Sequence, residues 1–192
     1  MMTIIYFLIG YLTGSIPTAY LITYLFTGKD IREYGSKNPG STNVFRVAGV
    51  WPGIITLVID FSKGFLPVYL IRQQPDWVVI GTIFFTVLGH TATVFLRFRG
   101  GKGVITGCGA LAGATPHLAI TGILVFLITF FLFRYVSLSS ITSAFAIIIY
   151  VWLFRYPLTW QVAITLVGVL VIWRHRDNIK RLWRRQEPKV IL

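Results

Sequence analysis

Three clusters in this chain combine residue types that can hold a phosphate or steer a hydroxyl. The first is Gly35-Ser36-Lys37-Asn38-Pro39-Gly40-Ser41-Thr42-Asn43, with Arg46 three residues later. Glycines let successive backbone N–H groups turn into one concavity, and short hydroxyl and amide side chains add donors. A guanidinium can then grip a phosphate through two parallel bonds. Ser36, Asn38, Gly40, Thr42, Asn43 and Arg46 are therefore candidates for an anion site, although the same residues also make an ordinary turn closed by Asn-Pro-Gly. The second cluster, Phe98-Arg99-Gly100-Gly101-Lys102-Gly103-Val104, stands directly before an apolar run. A glycine turn opening a helix presents N–H groups at the positive end of the helix dipole, and Lys102 adds a full charge there. It lacks the Gly-x-x-x-x-Gly-Lys-Ser/Thr of a P-loop, and a basic glycine hinge that anchors a helix at the headgroups is the alternative. In the third cluster, Arg174-His175-Arg176-Asp177-Asn178-Ile179-Lys180-Arg181, helical spacing would turn His175 and Asn178 the same way. A snorkelling basic helix end is the alternative there. Arg134-Tyr135-Val136-Ser137-Leu138-Ser139-Ser140 adds further hydroxyls, Ser140 among them.

Other residues narrow the chemistry. Asp60 and Lys63 lie inside an apolar run at i, i+3, where charges are costly and generally paired; a mutually neutralising structural pair is expected. His90 suits a hydrogen bond between helices as well as a ligand, His117 is given no role, and the lone Cys108 reads as packing. With six acidic residues in all and no Cys/His cluster, neither a metal-dependent phosphotransferase, a proton pump nor a zinc site is expected. No histidine is followed five residues on by Asp, so the His-x-x-x-x-Asp base of ordinary glycerolipid acyltransferases is missing.

The elements that must position these residues belong in a bilayer. Of 192 residues, 55% are hydrophobic and 12% charged, and the apolar ones fall into long runs broken by short polar stretches. The net charge of +12 sits in short interhelical loops and a brief tail, which indicates juxtamembrane charge facing membrane lipid and no nucleic-acid surface. Hydropathy predicts an all-α integral membrane protein of seven transmembrane helices over 4–26, 52–71, 77–96, 104–114, 118–133, 140–154 and 158–173. The fourth span is short and rich in Gly and Ala. No Lys or Arg precedes the first run, so it reads as a retained span, with Gly14, Ser15 and Pro17 marking a kink or close packing. With seven crossings, fifteen of the eighteen Lys and Arg fall on one side and two on the other, which predicts N-terminus out and C-terminus in.

Taken together, the three clusters resemble those of the PlsY family, bacterial integral-membrane acyl-phosphate:glycerol-3-phosphate acyltransferases. The resemblance rests on Gly35–Asn43 with Arg46, on Gly89-His90 followed by Phe98–Val104, on Ser137–Ser140 and on Arg174–Ile179, in that order along nearly the whole chain. The chain departs from the family pattern in three places. Thr93 stands where the family usually has Pro, Asp177 where it usually has Glu, and Ile-Thr-Gly-Cys-Gly after Val104 is glycine-richer than usual.

The resemblance implies a single transmembrane acyltransferase domain over residues 1–192 in the bacterial inner membrane, with its active site facing the cytoplasm. The reaction would be acyl transfer from acyl phosphate to the 1-hydroxyl of glycerol 3-phosphate, giving lysophosphatidic acid, with no cofactor and no metal. The mixed anhydride is already activated, so positioning and charge stabilisation suffice. On this reading Ser36, Arg46, Lys102, His175 and Asn178 are catalytic. Asn38, Gly40, Thr42, Asn43, Gly100, Gly101, Gly103 and Ser140 bind substrate, with the three glycines offering N–H groups. A small anion transporter built on the same nests is the alternative, and it predicts polar residues at mid-bilayer depth in several spans.

Overall fold

In the computed structural model, which describes residues 2–190, every regular element is helical. The chain divides into two compact units, one ending at Ala114 and the other beginning at Thr115. The first contains α1 (Met2–Ser15), α2 (Thr18–Thr27), α3 (Ser41–Val47), α4 (Val50–Leu70), α5 (Asp76–Thr91), a 3₁₀ turn (Val94–Leu96) and α6 (Val104–Ala114). The second contains α7 (Pro116–Phe133), α8 (Val136–Leu153), α9 (Leu158–Arg174) and α10 (Arg176–Trp183).

The expectation of seven transmembrane helices is overturned. By length and composition, five stretches among the described residues can cross a bilayer: Met2–Thr27, Val50–Leu70, Asp76–Leu96, Pro116–Phe133 and Val136–Leu153. A sixth arises only if α9 and α10, bent by 57° at their junction, are taken as one span. The expected fourth span is found as α6, but its 11 residues fall short of a crossing. At 1.5 Å per residue such a helix rises about 16 Å against a hydrocarbon core of about 30 Å. The orientation with N-terminus out and C-terminus in was counted on seven crossings and loses its premise with them.

Local chemistry explains where the helices break and touch. Pro17 has no N–H to donate and divides the first run into α1 and α2. Lipid gives helices little hydrophobic reason to associate, so close backbone approach through small residues does much of the work. A Cβ on Gly14 would collide with the Thr86 carbonyl of α5, and one on Gly89 with the Tyr11 carbonyl of α1. Gly64 and Gly109 allow the same intimacy between α4 and α6. Leu25, Leu70, Leu132 and Leu153 are among the most exposed apolar side chains, as lipid-facing residues should be. Helix α3, inside the first cluster, was not foreseen, and the helical spacing considered for Arg174–Arg181 is found as a separate helix, α10, bent away from α9.

Candidate active site

The first cluster folds around Asn43. This side chain is 1% exposed, its Oδ1 accepts the Ser36 N–H (2.9 Å), and its Nδ2 donates to the carbonyls of Tyr34 (3.0 Å) and Ile31 (3.3 Å). Gly35 (φ 59°) and Lys37 (φ 57°) take the left-handed turns this wrapping needs. The Asn43 amide is thus committed to the loop's own backbone. Ser36 and Arg46 are left at the surface, and Asn38, Gly40 and Thr42 are half-buried. Gly40 caps α3 in an extended conformation, and Thr42 lies in that helix's first turn. Arg32, on the same loop, grips Asp30 at 2.6 Å. That side-chain hydrogen bond, working against burial, holds the Asp30 carboxyl below its ordinary range.

The glycine loop is built differently from the expectation. Gly100 donates its N–H to the Thr91 carbonyl (3.2 Å) and Gly101 to the His90 carbonyl (3.1 Å), so neither group is turned toward an anion. Glycine is required there for proximity. A Cβ on Gly100 would strike the His90 carbonyl, and one on Gly101 the His90 imidazole. Gly103 (φ 82°) makes the turn that sets Lys102, half-buried, immediately before α6.

Beneath this loop lies a buried polar line. Lys63 Nζ is 2.8 Å from Asp60 Oδ1, with side chains 4% and 3% exposed. That oxygen lacks hydrogen-bond geometry to any partner, so the contact is ionic. Lys63 also donates to the Ile16 carbonyl (2.8 Å) at the break before Pro17. His90 Nδ1 is 3.9 Å from Asp60 Oδ1 and 3.2 Å from Thr106 Oγ1. The expected Asp60–Lys63 pair is therefore present, and it reaches both the α1/α2 break and the histidine against which Gly101 packs.

The second unit holds His175, Asn178 and Ser140. His175 stands at the bend between α9 and α10, 2% exposed, with Nδ1 2.8 Å from the Val171 carbonyl. A carbonyl only accepts, so Nδ1 carries a proton, and in the neutral ring the lone pair is then on Nε2. Asn178, 7% exposed, donates from Nδ2 to Glu187 Oε1 at 2.6 Å. Ser140 back-bonds to the Val136 carbonyl (2.9 Å), leaving its oxygen as an acceptor. His117 pairs with the Tyr156 hydroxyl. Among the described residues, no three His, Cys, Asp or Glu side chains gather where they could hold a metal ion.

These arrangements hold donors and a lone-pair nitrogen in place and present no nucleophile–base pair. A family model described as glycerol-3-phosphate acyltransferase matches residues 4–185. The chain belongs to that family. It is 37% identical to a glycerol-3-phosphate acyltransferase of Staphylococcus haemolyticus, covering 99% of this chain and 98% of the relative. To one of Synechocystis sp. it is 41% identical over 95% and 88% of the two chains. It also resembles the crystal structure of PlsY (YgiH), an integral membrane glycerol 3-phosphate acyltransferase, in the glycerol 3-phosphate form. The TM-score is 0.95 at 36% identity, covering 100% of this chain and 96% of that one. The lysophosphatidic acid form gives 0.91 at 34%.

The protein is thus a multi-pass acyltransferase of the bacterial inner membrane, and the transporter reading is set aside. Thr93 fixes the local backbone through its hydroxyl. That hydroxyl donates to the Ser15 carbonyl (2.6 Å) beside the Pro17 break and caps the 3₁₀ turn at the Phe95 N–H (3.3 Å). Asp177 is exposed in the first turn of α10, where a carboxylate suits the helix dipole. Sequence reasoning missed Glu187 altogether, because nothing in a basic tail marks one acidic residue as buried.

Proposed function

We propose that this chain transfers an acyl group from acyl phosphate to the 1-hydroxyl of glycerol 3-phosphate and releases lysophosphatidic acid and inorganic phosphate. The likeness to the glycerol 3-phosphate form at a TM-score of 0.95 carries the reading. The family match runs through both compact units, which supports a single acyltransferase domain. The hydroxyl oxygen attacks the acyl carbon, the bond from that carbon to the phosphate oxygen breaks, and the hydroxyl proton ends on the released phosphate.

Each side chain has a physical part in this. Arg46 and Lys102 hold phosphate charge, the first as a two-pronged clamp and the second as a point charge. Ser36 and Thr42 donate to phosphate or to the developing oxyanion. Asn38 and Gly40 line the same loop, while Asn43 holds its shape. Gly100, Gly101 and Gly103 let the loop before α6 pack tightly enough to fix Lys102. His175 accepts a hydrogen bond from the glycerol hydroxyl through Nε2, and Asn178 and Ser140 bind substrate through their polar atoms. Because the donor already contains a leaving group, no acyl-enzyme is needed.

The active face is cytoplasmic on this proposal. In the first unit, Lys29, Arg32, Lys37 and Arg46 lie between α2 and α4, and Arg97, Arg99 and Lys102 between α5 and α6. The loop joining α4 and α5 carries only Arg72. Seven basic residues against one support placing the cluster loops inside. Purified protein offered acyl phosphate, acyl-CoA and acyl carrier protein in parallel tests the donor. Lysophosphatidic acid should form from acyl phosphate alone, and equal rates from acyl-CoA would refute the assignment.

A further inference from the structure

The turn between α5 and α6 carries two cations besides Lys102. Arg97 (φ 53°) and Phe98 (φ 61°) are consecutive non-glycine residues in the left-handed region, a costly conformation that the surroundings must enforce. Three hydrogen bonds do so: Arg97 N–H to the Val94 carbonyl (3.3 Å), Phe98 N–H to that of Thr93 (2.8 Å) and Arg99 N–H to that of Leu96 (3.1 Å). The pinned turn brings Arg97 and Arg99 to the wall of an open cavity of about 550 Å³ and leaves Phe98 out of it. Tyr20 of α2, Arg32 and, from the 3₁₀ turn, Phe95 and Leu96 complete the lining. Arg32 is set before any ligand arrives. Its Nε and Nη2 donate to the Asp30 carboxylate at 3.0 and 2.6 Å, and its guanidinium carbon lies 5.4 Å from the Tyr20 ring centroid. Asp30 neutralises one of the three guanidinium charges. Among the described residues, no carboxylate pairs with Arg97 or Arg99.

None of the six lining residues belongs to the machinery assigned above. Guanidiniums around one cavity call for an anion, and the rest of the lining says which kind. A bare phosphate would fill a small part of such a volume and gain nothing from Phe95, which is 59% exposed, or from Leu96. Arg97 directly follows the apolar stretch Asp76–Leu96, and Arg32 stands five residues after Met2–Thr27, so the cations lie where two candidate spans end. Tyr24, Leu25 and Phe26, close to that end of α2, are exposed apolar residues, as lipid-facing ones should be. We propose that this cavity binds the headgroup of an anionic phospholipid, with Arg97 and Arg99 on the phosphate oxygens and Tyr20 and Phe95 against the glycerol and the first chain carbons. Basic pockets at helix ends suit lipid headgroups for this reason: the phosphate meets the cations while the chains stay in the bilayer. Arg32 precedes Ser36 on one loop, and Arg97 and Arg99 precede Lys102 on the other. A phosphate held here therefore ties together the two loops that carry those residues, whichever acyl donor the enzyme uses.

The experiment titrates full-length protein in detergent with phosphatidylglycerol, phosphatidylcholine or inorganic phosphate. Bound lipid is counted by native mass spectrometry, and thermal unfolding and backbone hydrogen exchange are followed alongside. Phosphatidylglycerol should raise the unfolding temperature, as a ligand of the folded state must, and should slow exchange in both loops. Arg97→Gln with Arg99→Gln should weaken phosphatidylglycerol binding about tenfold or more, because two charge-assisted contacts are lost. Lysine at both positions should restore only part of it, since an ammonium cannot reproduce the two-pronged contact. Arg184→Gln with Arg185→Gln removes the same charge from the second unit and should change the affinity less than about twofold. Phosphatidylcholine should bind parent and variants alike. Arg99 lies outside the left-handed pair, so Arg99→Gln alone, with about threefold weaker binding or more, carries the test if the double variant does not fold. Parental affinity in the variants at Arg97 and Arg99 would overturn the proposal. Equal weakening in both glutamine pairs would overturn it too, by showing attraction to net charge alone. Displacement of phosphatidylglycerol by about 10 mM inorganic phosphate, an ordinary weak-site concentration, would overturn the lipid assignment in favour of a free phosphate site.

Discussion

Removing one partner of the Asp60–Lys63 pair should damage the protein more than removing both. The two charges are 2.8 Å apart and nearly sealed from solvent, at 3% and 4% side-chain exposure. Breaking a buried pair from one side leaves an uncompensated charge and typically costs about 3–5 kcal/mol, whereas replacing both partners with neutral groups of similar volume is often close to neutral. Lys63→Met should therefore cost about 3–5 kcal/mol, which includes about 1 kcal/mol for the lost bond to the Ile16 carbonyl. Asp60→Asn leaves the ammonium with that carbonyl and with the introduced amide oxygen, so it should cost about 2–3 kcal/mol. The double variant should recover most of the charge penalty and retain roughly the 1 kcal/mol for the Ile16 bond. Reversible unfolding of all four proteins in one detergent gives the coupling energy directly. Additive losses, with the double variant as unstable as the two singles combined, would show that the charges do not compensate each other.

The remaining expectations concern the site and its sidedness. Lys102→Ala should raise the KM for glycerol 3-phosphate by about tenfold or more, and Lys102→Arg should restore only part of it because the guanidinium is larger and planar. Steady-state kinetics check both. Ser36→Ala should lose most activity and Cys108→Ala almost none, and initial-rate lines with two varied substrates should intersect. Parallel lines, or an acylated Ser36 trapped without glycerol 3-phosphate, would establish a covalent route. Single cysteines at Lys37 and Lys102 should react with impermeant reagent only from the cytoplasmic side, and outside labelling at Lys102 would overturn the cytoplasmic face. Burial raises the folded pKa of Glu187, but hydrogen bonds from Ser137, Asn178 and Arg181 lower it overall, so its contribution to holding the tail is present above the ordinary carboxyl value of 4.5 and lost as pH falls through the folded value. Protease cleavage of the tail should stay slow from neutral pH to about 5 and accelerate only below the ordinary range.

Hydropathy located most helices within a few residues because bilayer solvation acts on every residue of a run. α6 spans the residues expected of the fourth span, and α4 and α7 differ by two residues or fewer at either end. Reading helix as crossing caused the error. A Gly/Ala-rich stretch of 11 residues is apolar enough to be buried, but burial against α4 satisfies it as well as lipid does. The separateness of α10 from α9 escaped for a related reason. The apolar residues of α10, Ile179, Leu182 and Trp183, are sparse among charges, so an average over the segment conceals a one-sided helix.

The site divides along a different line. The buried Asp60–Lys63 pair was legible, since two opposite charges at i, i+3 inside an apolar run can be named from residue type and position alone. What each neutral group does was not legible, because a hydrogen bond depends on the partner that folding brings to it. Gly100 and Gly101 looked like anion donors until their N–H groups were found on the Thr91 and His90 carbonyls. Asn43 looked like a ligand and instead braces its loop. The same commitments orient the rest of each group. Val171 takes one side of His175 and so determines which nitrogen holds the lone pair. Glu187 takes one side of Asn178 and so determines which side is an acceptor. An oriented acceptor gains its value before substrate arrives, because its reorganisation has already been met by folding. A reaction whose donor carries its own leaving group needs that orientation more than it needs a nucleophile.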